Sequence, residues 1–206
     1  MTEYQRHVNR WKDCKLCTLC EGRQRVVLVR GSLPCDVLFV GEAPGESEDA
    51  IGRPFCGQAG QLLDHIMDRA FAAVPRKTFR KALTNLVGCI PRGEKDKLAQ
   101  PPDASIRACE PRLQEIVGLA RPSLVVCVGA LAAKWINRNR CQLGLGDVTL
   151  LDLVHPAGIL RANVAQRGLM VQRAVVSLSN ALEELDSNWE GNHAGSKKVF
   201  GKFNLH

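Results

Sequence analysis

Apolar residues along the chain fall into short solid runs separated by longer stretches in which they recur every three or four positions. The solid runs are Asp36 to Gly41, Ala82 to Gly88, Leu124 to Gly129 and Val148 to Val154. Runs of this length, rich in Val and Leu, suit strands buried on both faces of a parallel sheet. The stretches between them carry helical periodicity. Gly57 to Phe71 sets Leu62, Leu63, Ile66, Met67 and Ala70 on one face. Asp103 is placed to cap a helix through Ala120 that presents Ile106, Cys109, Leu113, Ile116 and Val117 at helical spacing. An Ala-rich helix follows to about Asn137, and Val164 to Leu185 is mostly helical; a further helix precedes the first strand. Strands alternating with helices predict an α/β fold, a three-layer α/β/α sandwich around a central, mostly parallel four-stranded sheet. One domain is expected over residues 1–186. The Gly-, Asn-, Ser- and Lys-bearing residues 187–206 are expected to form a poorly ordered tail.

Three polar loops leave the C-terminal ends of these strands, the edge at which α/β proteins build ligand sites. The first, Gly41-Glu-Ala-Pro-Gly45-Glu-Ser-Glu-Asp49 closing with Gly52-Arg-Pro-Phe-Cys-Gly57, would present Glu42, Glu46, Glu48, Asp49 and Phe55 to a ligand. A solvated acidic turn is the plainer alternative. The second is Thr84-Asn85-Leu-Val-Gly-Cys89-Ile-Pro-Arg92, which runs into a charged excursion ended by Pro101 and Pro102. The third is His155-Pro-Ala-Gly158-Ile-Leu-Arg161.

Composition narrows the partners. A chain of 206 residues with 45% apolar content suits one domain with a substantial core. A formal charge of +7 permits a polyanionic partner without selecting one. No apolar run approaches the roughly 20 residues of a membrane helix, and the N-terminus lacks a secretion signal's apolar core. A cytoplasmic monomer without a membrane partner is therefore expected. Nine cysteines in such a chain are better read as ligands and small buried side chains than as disulfides, because the cytosol keeps thiols reduced and the count is odd. Cys14, Cys17 and Cys20 stand at two-residue spacing, with Cys89 and Cys109 as distant partners. Four thiolates suit zinc or an iron–sulfur cluster alike. Cys127, inside an apolar strand, reads as a small hydrophobe.

The three loops and the spaced cysteines, taken in order, resemble the uracil-DNA glycosylase superfamily, in its family 4 branch. The resemblance covers roughly residues 11 to 186. It implies a [4Fe–4S] cluster on Cys14, Cys17, Cys89 and Cys109, with Cys20 outside the ligand set. It also implies a DNA partner and an enzyme that flips a base from DNA and hydrolyses its N-glycosidic bond. In that scheme Phe55 stacks on the base and Asn85 reads its edge with one donor and one acceptor. His155 donates a hydrogen bond to O2 of the departing base, Glu42 faces the sugar and its water, and Glu48 is a further acid. Amides of Gly57, Gly60, Gly129 and Ala130 would hold phosphate, and Arg161 the minor-groove side. Uracil is the expected base.

Cys56 beside Phe55, Gly158 after the third loop's alanine and the long excursion over residues 92–102 depart from the family pattern. They leave open a bulky modified cytosine of phage DNA as substrate, and with it a defence role. A non-catalytic DNA-binding iron–sulfur protein on the same scaffold is the alternative of another class.

Overall fold

The computed structural model describes residues 1–75, 78–94 and 97–194. Its centre is a sheet of β1 (Arg30–Gly31), β2 (Val37–Gly41), β3 (Lys81–Asn85), β4 (Leu124–Val128) and β5 (Thr149–Leu153), in the order β1-β3-β2-β4-β5. The four expected strands are all present and parallel, with ends shifted by at most three residues. The sheet has a fifth strand that hydrophobic patterning did not announce. The two residues of β1 lie antiparallel to β3, Arg30 opposite Leu83. A two-residue edge pairing has no periodicity to read.

Alternation along the strands sends side chains to two cores. Leu38, Val40, Ala82, Val125 and Cys127 face α4 (Asp103–Ala120) and α5 (Ala130–Arg138). Val37, Phe39, Leu83, Val126 and Val128 face α3 (Gln58–Ala72) and α7 (Val164–Ala194). Cys127 is fully buried, and burial pushes its thiol up to about 12, so it behaves as a small apolar side chain. The N-terminal α1 (Glu3–Trp11) packs on α4. There Glu115 accepts hydrogen bonds from Trp11 (2.8 Å) and Arg10 and meets His7 Nδ1 at 2.9 Å.

Two short helices occupy segments expected to be loops: α2 (Glu46–Ile51) after β2 and α6 (Pro156–Arg161) after β5. Six residues give too little periodicity to detect, and both begin at residues read as turn formers. The cap of α4 is Pro102, with Asp103 as the first helical residue, where its carboxylate still complements the helix dipole. Helix α7 continues past Ser187 to Ala194, so the first residues of the segment expected to be a tail are helical; residues 195–206 lie outside the described residues. Among the described residues no helix is long and apolar enough to cross a membrane.

Candidate active site

The parallel register brings strand ends together: Gly41 pairs with Asn85, and Val128 with Leu153. A cleft of about 390 Å³ opens at this edge, within the range of small-ligand sites. Glu42, Glu48, Phe55, Gly60, Asn85, His155 and Arg161 all line it. Residues far apart in the chain thus share one cavity because each follows, or closes, the C-terminal end of a strand.

Phe55 and Asn85 meet at Gly41. A Cβ placed there would lie 2.5 Å from Phe55 Cζ and closer still to Asn85 Oδ1, so the ring and the amide both occupy the space a side chain would need. Asn85 is 3% exposed and Phe55 6% exposed, so the phenylalanine is a core residue that also lines the cleft. Phe55 has φ +54, a left-handed conformation costly for a bulky residue. Its carbonyl accepts from Arg30 Nη1 at 2.8 Å, and Arg30 in turn forks onto Asp64. The motif reading missed Arg30 and Asp64: the Arg30 contact with Phe55 spans 25 residues of sequence and its pairing with Asp64 spans 34.

Glu48 does not stand free as a second acid. Its carboxylate accepts backbone N–H groups from Cys56 (2.8 Å), Gly57 (2.8 Å) and Gly45 (3.1 Å), tying the two ends of the first loop together. Gly57 therefore spends its amide on Glu48 rather than leaving it for a phosphate, and at Gly60, which lines the cleft, Phe55's backbone fills the space a Cβ would need. Asp49 is fully buried and turned away from the cleft, accepting the Gln24 (3.0 Å) and Arg25 (3.3 Å) amides. Glu46 pairs with Arg92, its two oxygens 2.8 and 2.9 Å from the guanidinium.

Glu42 and His155 are brought together across Gly129, the residue before α5. A Cβ at Gly129 would lie 2.5 Å from Glu42 Oε1 and 3.2 Å from His155 Cβ and Cδ2. The Glu42 carboxylate accepts the Leu131 amide at 3.3 Å, at the N-terminal end of α5. Ala130 is the first residue of that helix. His155 caps α6: its Nδ1 accepts the Ala157 amide at 3.1 Å, so a neutral ring carries its proton on Nε2. Burial pushes this imidazole below its usual value; Glu42 draws it back up and Arg161 lowers it further.

A second convergence gathers the cysteines. Cys14, Cys17, Cys89 and Cys109 line one small hollow, and Cys20, left outside the ligand set in the motif reading, lines it too. Among the described residues no three His, Cys, Asp or Glu donors stand close enough to hold a metal ion as placed. The surroundings nonetheless suit anionic sulfur. Cys109 Sγ receives Arg112 Nε at 3.1 Å and the Gly88 amide at 3.4 Å, and Cys89 Sγ receives Arg23 at 3.5 Å. Arg112 is 1% exposed, and a cation so buried calls for a nearby anion. The sequence reading did not single out Arg112; an arginine on the buried face of an apolar helix is the signal that could have found it.

Fold and cleft together define a class: an α/β protein with a cleft at the carboxyl edge of a mostly parallel sheet, where such folds bind ligands. Within that class residues 29–179 match the uracil DNA glycosylase superfamily, and the chain belongs to it. The type-4 uracil-DNA glycosylase of Pyrobaculum aerophilum is 34% identical over 166 residues, covering 73% of this chain and 81% of that protein. That of Sulfurisphaera tokodaii is 36% identical over 124 residues, 60% of this chain, and the match spans about half of the relative's length (53%). The crystal structure of Pedobacter heparinus SMUG2 superposes with a TM-score of 0.55 at 14% identity, over 72% of this chain and 76% of that one, which speaks to the fold alone.

Proposed function

We propose that this protein is a monofunctional DNA glycosylase that flips uracil out of DNA and hydrolyses its N-glycosidic bond, leaving an abasic site. The observation that carries the reading is the convergence of Glu42, Phe55, Asn85 and His155 in one cleft, with His155 Nδ1 occupied by the Ala157 amide. Phe55 stacks on the extruded base and the Asn85 amide pairs with its O4 and N3–H edge. As the bond to C1′ breaks, negative charge grows on the uracil, and the His155 Nε2–H donates to O2 to spread it. Glu42 offsets the positive charge at C1′ and orients the attacking water. No lysine is among the described residues lining the cleft, in keeping with direct hydrolysis rather than a Schiff base. Arg161, which lines the cleft at the end of α6, and the start of α5 at Ala130, next to the Leu131 amide that holds Glu42, are the groups we assign to holding the DNA backbone.

The test is excision on a labelled panel: uracil opposite G, uracil opposite A, single-stranded uracil, hypoxanthine, and DNA with bulky modified cytosines. Cutting at uracil supports the reading. The small cleft residues Ala43, Gly45, Ala59 and Ala99 favour the modified cytosine as the second substrate, and cutting there alone would replace uracil. No cutting on any substrate would leave a binding protein.

A neutral His155 makes the rate depend on pH in a defined direction. Because burial lowers its pKa from 6.5, excision should stay level as pH falls from mildly alkaline to about 6.5 and decline only below that. A single-turnover pH profile with its acid limb above 6.5 would contradict the role. The same lowered pKa means that, below pH 6.5, the unfolded chain binds more protons at this position than the folded one, so its contribution to stability falls with acidification.

Cys14, Cys17, Cys89 and Cys109 are the proposed ligands of a [4Fe–4S] cluster, and the donor set and its N–H partners fit that group. When bound, the cluster would tie the N-terminal segment to β3's exit loop and α4. Cys109→Ala should give a colourless protein. It also leaves the Arg112 charge without its anion, costing about 3–5 kcal/mol, which for a chain of this size lowers Tm by roughly 10 °C. Iron analysis and a melting curve check both; a brown, equally stable variant would refute the ligand assignment.

A further inference from the structure

We propose that Arg112 is a positioning residue that joins the cysteine centre to the base-reading strand end, so that negative charge held at Cys109 sets the stance of Asn85. The inference rests on both the glycosylase and the cluster readings.

Arg112 lies on the inward face of α4, three residues after Cys109, and is the largest fully buried side chain among the described residues. All three of its nitrogens are engaged, each on a different target. Nε donates to Cys109 Sγ at 3.1 Å. Nη1 donates to Thr84 Oγ1 at 3.3 Å, and that hydroxyl donates onward to Leu28 O at 2.8 Å. Nη2 donates to the carbonyls of Asn85 and Leu86, the latter at 3.1 Å. One rigid guanidinium plane therefore spans from a proposed cluster ligand to the peptide that carries the uracil-reading amide.

Charge explains why the link would respond to the cluster. Among the described residues no carboxylate forms an ion pair with Arg112. The sulfur of Cys109 is thus the partner that can supply a negative charge, and it does so as a thiolate ligand rather than as a thiol. With that anion present, the guanidinium is held toward Cys109 while its far edge grips the end of β3. There is little slack at Asn85 to absorb a shift, because Asn85 Oδ1 and Phe55 Cζ already crowd Gly41. Displacing the Asn85 carbonyl would displace the amide that must meet the base edge.

Arg112→Lys keeps the charge but cannot fork to sulfur and two carbonyls together; Arg112→Met keeps bulk and loses both charge and donors. The intact holoproteins would be compared for iron content, cluster reduction potential, DNA affinity and single-turnover excision of uracil. Both variants are expected to keep iron. Arg112→Met should lower the cluster potential, since a nearby cation and an N–H···S bond both favour the reduced cluster; Arg112→Lys should shift it less. Both should excise uracil about tenfold more slowly at unchanged DNA affinity, as expected for a misplaced recognition group.

An unchanged potential in Arg112→Met, or wild-type excision in both variants, would overturn the proposal. Loss of iron and cooperative folding in both would also overturn it, by assigning Arg112 to the core alone. Wild-type protein that cuts uracil without holding iron would defeat it through the cluster reading, and protein that holds iron without cutting any base would defeat it through the glycosylase reading.

Discussion

Replacing His155 with alanine is expected to slow base excision by about 10²- to 10³-fold, the usual cost of deleting one donor to a developing anion, while DNA binding is retained. The imidazole's place at the cap of α6 is what makes the expectation sharp. With Nδ1 accepting the Ala157 amide at 3.1 Å, the ring cannot present a lone pair on that side without losing the cap, and Nε2 keeps the proton. An alanine removes both the cap and the donor. His155→Asn therefore accompanies it, because asparagine also caps helices well but has its amide on a shorter side chain. Equal slowing in both variants, with little change in Tm for His155→Asn, would place the effect on the donor rather than on the helix. The measurement is single-turnover excision with enzyme in excess, read beside DNA affinity. A variant that cut at the wild-type rate would remove His155 from the mechanism.

Gly129→Ala is expected to be nearly as damaging, although glycine has no chemistry of its own to lose. Two constraints meet at this residue. Its φ of +103 is a conformation that alanine adopts only with strain, and the added methyl would lie 2.5 Å from Glu42 Oε1 and 3.2 Å from the His155 ring carbon. Either Glu42 gives up its 3.3 Å bond to the Leu131 amide or the start of α5 moves. A displacement near 1 Å of a reacting group can cost on the order of 10²-fold in rate. The variant should therefore lose excision by about that factor while still folding, with a Tm only a few degrees lower. Full activity in Gly129→Ala would mean that the Glu42–His155 pair is not held as tightly as the structure indicates.

The order of strands and helices was legible from the chain because it depends on local periodicity. Val37 to Gly41 and Leu124 to Val128 are apolar at every position that the sheet buries, and α3 repeats its buried residues at helical spacing. The short pieces were not legible. The two residues of β1 and the six of α2 and α6 are stabilised by what they pack against, and they carry too few positions to show a period.

The candidate site divides in the same way. Glu42, Phe55, Asn85, His155 and Arg161 could be picked out because each sits in a loop at the end of a recognisable strand, and the parallel register delivers them to one cleft. What each acid does there could not be read from its letter. Glu48 looks like a catalytic acid in sequence, and in the fold its carboxylate is taken up by three backbone amides. Asp49 looks like its neighbour and points the other way, into the backbone of Gln24 and Arg25. Adjacent residues on a helix face different surroundings, so position along the chain says little about which of them a ligand can reach.

By itself, then, the sequence determined the α/β alternation, the polar loops that line the cleft and the spaced cysteines that line the hollow, since these follow from residue type and short-range spacing. Tertiary structure alone decided that Gly129 is the contact between Glu42 and His155, that Gly41 is the seat shared by Phe55 and Asn85, and that Arg112 links Cys109 to the end of β3. Those three facts concern distances between residues that lie tens of positions apart. Such distances are set by sheet register and helix packing, which no local pattern of letters encodes.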